Sequence, residues 1–154
     1  KALQKAFFDV VTGKDRKHRH WLTPVYKRLA EVREDGDVDQ ILEELEDRYG
    51  EPPAAVAALL LVARFRARAR QAGVGEVTLA GRNVRFAPVS LPESRTIRLQ
   101  RLYPKSIVKA QLDTVLVPRP GTPGALGRPL EGVALLEWAR TVIDAVIDPK
   151  EQQS

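Results

Sequence analysis

Cysteine and methionine are absent from the 154 residues, aromatic residues amount to only 6%, and no apolar run reaches the ~18 residues of a membrane span. The lack of cysteine excludes a disulfide frame, a zinc finger and a thiol nucleophile, and the chain fits a reducing cytoplasm. No basic segment leads into an apolar stretch and a small-residue cleavage site at the start, so no signal peptide is predicted. With methionine missing even at position 1, the sequence reads as a fragment of a longer protein.

Catalytic motifs are missing as well. A nucleotide-hydrolysing loop needs Gly-x4-Gly-Lys-Ser/Thr, because backbone amides and the lysine must wrap the phosphates. The nearest glycine cluster, Gly121-Thr122-Pro123-Gly124-Ala125-Leu126-Gly127, has no lysine, and proline there removes an amide. Serine-triad chemistry would need a histidine near an activated serine, yet His18 and His20 share one charged segment and no Gly-x-Ser-x-Gly turn exists. Those two histidines are poor metal ligands, since the cations around them in Arg16-Lys17-His18-Arg19-His20 would repel a dication. No catalytic residue, metal or cofactor is predicted on this chain.

What is present is a folding composition: 44% hydrophobic and 29% charged residues, at a length that buries roughly 70% of the unfolded surface. The net charge of +5 conceals a partition. From Glu31 to Asp47 nine acids stand against the single base Arg33, a net of −8. From Glu51 to Ala110 eleven bases stand against three acids, a net of +8. Such a chain is either held together by internal attraction or offers faces of opposite sign to different partners.

Periodicity predicts the elements. Residues 2–11 repeat at helical spacing and stop at Gly13, and Gly13–His20 is expected to be a basic loop. Thr23-Pro24 reads as the cap and first position of a second helix that runs to about Glu34. Asp35-Gly36-Asp37 has turn chemistry, and Asp37 can cap a third helix ended by Gly50 and Pro52-Pro53. A fourth helix, from Pro53 to about Ala72, is apolar nearly all round in its first half and is expected to be the central buried helix. Its second half carries Arg64, Arg66, Arg68 and Arg70, which at ~100° per residue do not form one stripe.

After Gly73 the period changes to 2, predicting a hairpin turned at Ala80-Gly81-Arg82-Asn83. Residues 92–103 suit either a strand or a helix, with helix preferred. A second hairpin is predicted around Asp113, then an irregular loop over Arg119–Pro129, a last helix over about Leu130–Ile147, and a fraying tail. The fold class is α+β: about four N-terminal helices, small antiparallel hairpins with a short helix between them, and a long C-terminal helix.

Two surfaces stand out as candidates. Glu44 and Asp47 are three apart on the third helix, so both carboxylates point to one side and can meet arginines on another surface. Near a helix C-terminus they also oppose the macrodipole, a placement that local preference does not explain. The second candidate is nucleic-acid or partner contact through Arg64, Arg66, Arg68 and Arg70, favoured by the basic segment and its aromatic neighbours. Weighing against it, Phe65 and Leu102 are expected in the core, with the arginines solvated or paired to the acidic stretch.

These residues carry a resemblance. Tyr26-Lys27-Arg28-Leu29-Ala30, then Ile41-Leu42-Glu43-Glu44-Leu45-Glu46-Asp47-Arg48-Tyr49-Gly50-Glu51-Pro52-Pro53, then Leu59-Leu60-Leu61-Val62-Ala63-Arg64-Phe65-Arg66 and Ala72-Gly73-Val74 resemble the C-terminal domain of the bacterial transcription-repair coupling factor (Mfd) family. Arg98-Leu99-Gln100-Arg101-Leu102-Tyr103-Pro104 and Val115-Leu116-Val117-Pro118-Arg119-Pro120 resemble its high-GC Gram-positive members. The similarity spans about residues 25–147. It divides the chain into a linker or vector-derived segment over 1–22, a regulatory domain over 23–148 and a disordered tail over 149–154.

The resemblance implies a parent that is an ATP-driven DNA translocase, with ATP and Mg used by motor motifs outside this segment. The parent displaces stalled RNA polymerase from double-stranded DNA and recruits the excision-repair protein UvrA. The C-terminal domain is implied to be a non-catalytic, autoinhibitory clamp. It packs on the N-terminal repair-like module of the same protein, masks the UvrA-binding surface and restrains the motor, with no membrane involved. The family motif places arginines of that module opposite the positions of Glu44 and Asp47. The rival function is a basic DNA-binding accessory domain that uses the Arg64–Arg70 helix end.

Overall fold

Helical apolar spacing in the first half of the chain folds as α1 (Ala2–Val11), α2 (Arg19–Leu29), α3 (Asp35–Tyr49) and α4 (Ala54–Gln71). The switch to period 2 is followed by β1 (Glu76–Ala80), β2 (Asn83–Ala87), α5 (Glu93–Leu102), β3 (Ile107–Lys109), β4 (Thr114–Pro118) and α6 (Gly132–Val142). The computed structural model describes residues 2–33, 35–121 and 127–149. The predicted fraying of 150–154 and the tip of the proline-rich loop at 122–126 lie outside the described residues. The second helix, expected to run to about Glu34, ends at Leu29, where the Glu31 and Val32 amides turn back to the Arg28 and Leu29 carbonyls. The α+β class holds, in two compact units, Lys1–Gln71 and Ala72–Ser154.

In the first unit α4 is the central helix, packed by α1, α2 and α3. Ala55, Val56, Ala58, Leu59 and Leu60 are buried together with Val25 of α2 and Val38, Ile41 and Leu45 of α3. Val10 of α1 joins the same cluster, so residues set apart by the resemblance supply part of this core. Gly50 (φ +85°) and Gly73 (φ +82°) take the left-handed positions that end α3 and follow α4.

In this unit two helix starts differ from the sequence expectation. α2 begins at Arg19, four residues before Thr23, and Pro24 lies inside it. The Asp15 carboxylate accepts the His18 amide at 3.0 Å, and the Trp21 and Leu22 amides reach the His18 carbonyl, so the helix is nucleated upstream. Burial of Leu22 and Val25, three apart, holds that extra turn on the core. α3 begins at Asp35, and Asp37 reaches back to accept the Arg33 amide at 2.8 Å in place of capping the helix itself.

The second unit is built on an antiparallel sheet in the order β1-β2-β4-β3. Gly81 (φ +64°) supplies the left-handed turn position that a two-residue hairpin needs between Ala80 and Asn83. The register Val84↔Val117 and Phe86↔Val115 puts these four buried side chains on one face, where Trp138 of α6 meets Phe86 with ring centroids 6.5 Å apart. The second hairpin forms as predicted, with a 3-10 turn (Ala110–Leu112) and Asp113 at φ +47° closing it. α6 starts at Gly132 and not at Leu130, because the Leu130 amide is held by the Pro120 carbonyl at 2.8 Å. Its last turn widens to a π-turn (Ile143–Ile147), giving a 16-residue terminal helix.

Residues 92–103 resolve as helix α5, and the burial pattern explains why. A strand would put Ile97 and Leu99 on one face, whereas a helix separates them by ~200°. Leu99 is 0% exposed and Ile97 61%. Leu99→Ala is therefore expected to cost about 2–5 kcal/mol and Ile97→Ala about 0.5 or less, measured by urea unfolding monitored by circular dichroism; equal costs would contradict this packing.

Candidate functional site

α3 carries the acidic stretch, and its core-facing row of Val38, Ile41 and Leu45 turns the carboxylates outward. The flanks are partly neutralised by neighbouring helices. On one flank Arg28 of α2 makes a forked contact with Glu44, Nη1 donating to Oε2 and Nη2 to Oε1, the latter at 3.2 Å. The same guanidinium lies 3.5 Å from Glu31 through Nε. On the other flank Arg64 of α4 donates to Asp39. Glu43, Glu46 and Asp47 stay exposed on the outer side, and Asp47 has no ion-pair partner among the described residues.

The hydrogen bond from Arg28 holds the Glu44 carboxyl below its ordinary range; desolvation opposes it, and the charges of Arg28 and Arg48 add to the lowering. The same hydrogen bond raises Arg28. Thus Glu44 and Asp47 are both exposed one turn apart, Asp47 on the outer side of α3 and Glu44 on the flank, where an arginine of its own unit meets it. The spacing argument missed Arg28. Its only trace in the sequence is position, the last base before the acidic stretch.

The four arginines of α4 have four different surroundings. Arg64 is taken by Asp39, Arg66 is exposed, Arg68 is buried at 1% exposure, and Arg70 donates through Nη1 to the Val32 carbonyl at 3.1 Å. They do not present a continuous row to a phosphate backbone. Phe65 is half-buried, and Leu102, expected in the core, is 44% exposed, because α5 turns Leu99 inward instead. His18 is held by Asp15, Nδ1 to Oδ2 at 3.0 Å, and His20 lies in the first turn of α2, not in the loop the sequence suggested. Among the described residues no helix is long and apolar enough to cross a membrane.

Comparison with known proteins adds to this geometry. A family model described as the TRCF domain matches residues 17–99, which include Arg28, Glu44, Asp47 and the α4 arginines. Transcription-repair-coupling factors of Mycobacterium bovis and Mycobacterium tuberculosis are each 38% identical over 129 residues, 82% of this chain and 10% of the relative. The chain thus spans about a tenth of the length of the curated relatives it matches.

The Arg28–Glu44 contact has a pH signature. Because the folded-state pKa of Glu44 is depressed, its stabilising contribution is present above the ordinary value of 4.5 and is lost as pH falls through the lower folded value. Arg28→Gln is expected to move the Glu44 midpoint up toward 4.5, read from side-chain carboxyl carbon shifts by NMR. An unmoved midpoint would show that the fork does not persist in solution.

Proposed function

The chain belongs to the TRCF domain family, and from that premise we propose that it is the C-terminal regulatory domain of a bacterial transcription-repair coupling factor, acting by contact and not by catalysis. Its partner is the N-terminal repair-like module of the same protein. Docking there masks the UvrA-binding surface and restrains an ATP- and Mg-dependent DNA translocase whose motor lies outside this chain. RNA polymerase stalled on double-stranded DNA favours the undocked state.

The observation that carries this reading is the outer side of α3. Asp47 is exposed, without an ion-pair partner among the described residues, beside Glu44, whose two oxygens are already set for a guanidinium fork. Arg28 occupies the place that an arginine of the partner module would take, so docking exchanges one fork for another at Glu44 and adds a new contact at Asp47. The gain at Glu44 is a difference between two similar pairs. Asp47 and the surrounding surface supply most of the preference for the docked state.

The latch is a two-state equilibrium. Moving it from 99:1 closed to 1:99 requires about 5.5 kcal/mol of differential binding by whatever opens it. One exposed ion pair is far too weak for that, so closure rests on several coupled contacts.

Calorimetric titration of this chain, supplied in trans, into the parent's N-terminal module tests the reading. Wild type is expected to bind, and Glu44→Arg/Asp47→Arg to lose binding while its circular dichroism spectrum is unchanged. Full binding by the double variant would remove these residues from the interface. No binding by wild type at low salt would remove the docking itself.

A further inference from the structure

The packing of α2 on α4 leaves an open groove of about 290 Å3 in the first unit. Its α4 wall is one stripe, Leu59, Val62, Ala63, Arg66, Ala67 and Arg70, at the i, i+3, i+4, i+7, i+8, i+11 spacing of a single helix face. Tyr26 and Leu29 of α2 form the opposite wall, and Tyr26 is 53% exposed. An adjoining hollow of about 410 Å3 shares Ala30, Val32 and Arg70 with the groove and adds Arg33.

The stripe changes character along its length. The Leu59 end is apolar, with Val62 and Leu29 half-buried, while the other end gathers Arg66, Arg70 and Arg33. Three acids of the same unit are already engaged: Asp39 by Arg64, Glu31 and Glu44 by Arg28. The Arg66 and Arg33 side chains are exposed with no ion-pair partner among the described residues. Three guanidinium groups therefore gather at one end of an apolar trough, Arg70 bonded to the Val32 carbonyl and Arg66 and Arg33 without a countercharge among the described residues.

We propose that this groove is a docking surface for an acidic peptide segment of a partner protein, which lays a bulky apolar side chain on Leu29, Leu59 and Val62 and sets its carboxylates against Arg66, Arg70 and Arg33. Charge complementarity selects an acidic occupant, and the apolar half selects a peptide. A phosphodiester backbone would satisfy the arginines but leave the Leu59 end uncovered, and apolar burial drives much of peptide docking. From Leu59 to Arg70 the stripe runs about 16 Å, room for roughly five extended residues or three helical turns. This surface is opposite in sign to the outer side of α3, so the same unit can engage an arginine-bearing partner and a carboxylate-bearing one at separate places.

The test uses the full chain and a fluorescein-labelled peptide of about twelve residues with leucines in one half and glutamates in the other, a length matched to the stripe. Fluorescence anisotropy is expected to show binding that is lost when lysines replace the glutamates and when serines replace the leucines. Arg66→Glu is expected to weaken binding about tenfold, and Arg82→Glu, an equal charge change at an exposed turn of the second unit, to leave it unchanged. Equal weakening by both variants would reduce the effect to bulk charge and overturn the proposal. So would absence of binding, indifference to the leucines, or displacement of the peptide by duplex DNA at lower concentration than by unlabelled peptide.

Discussion

The apolar first half of α4 is the constraint on which the helical unit depends. Ala58 and Leu60 lie about 200° apart round one cylinder and both are buried, so a single neighbouring helix cannot cover them together with the larger Val56 and Leu59 in the arc between. Each such side chain left in water would forfeit about 1.5–3 kcal/mol of burial. The remedy is enclosure by α1, α2 and α3, which brings residues far apart in sequence, such as Val10, Val25 and Val38, into one cluster. Beyond Ala63 the same helix carries four arginines, and Ala67, Arg68 and Ala69 stay buried among them.

That arrangement also decides how an acidic helix is tolerated. α3 packs its apolar row inward and carries its carboxylates on the remaining surface, several of them in the half of the helix where the macrodipole disfavours negative charge. α2 and α4 flank it, and Arg28 reaches Glu44 while Arg64 reaches Asp39. Among the described residues Glu44 and Asp39 at the flanks are thereby paired, and Glu43, Glu46 and Asp47 on the outer side are not. The acidic face is accordingly narrower than the sequence charge suggests, and it centres on Asp47 with Glu43 and Glu46.

The second unit obeys a simpler rule. Alternation in β2 and β4 sends Val84, Phe86, Val115 and Val117 to one side, and the register places them opposite one another. α6 brings Trp138 onto that side against Phe86, and Tyr103, just after α5, meets Trp138 edge to face at 6.1 Å. The basic residues of this unit are spent locally: Arg85 pairs with Glu76, Arg95 donates to the Ile147 carbonyl and Arg119 to the Leu130 carbonyl. A net positive segment in the sequence is thus divided among structural bonds and separate surfaces.

Local signals were enough to place most elements. Gly50, Gly73 and Gly81 mark real left-handed positions, and the change of period after Gly73 marks the boundary between helices and sheet. The exposed side of α3 could be read from spacing alone, because a helix converts spacing directly into direction. What the sequence could not decide was which charges meet. Arg28 and Glu44 are 16 residues apart, Arg64 and Asp39 are 25 apart, and Arg70 and the Val32 carbonyl 38 apart. The early start of α2 turned on the Asp15 carboxylate, and the groove beside Arg66 on how closely α2 approaches α4. Propensity, periodicity and capping act over a few residues and are written in the chain, whereas ion pairs and grooves depend on how helices come together, which only tertiary packing settles.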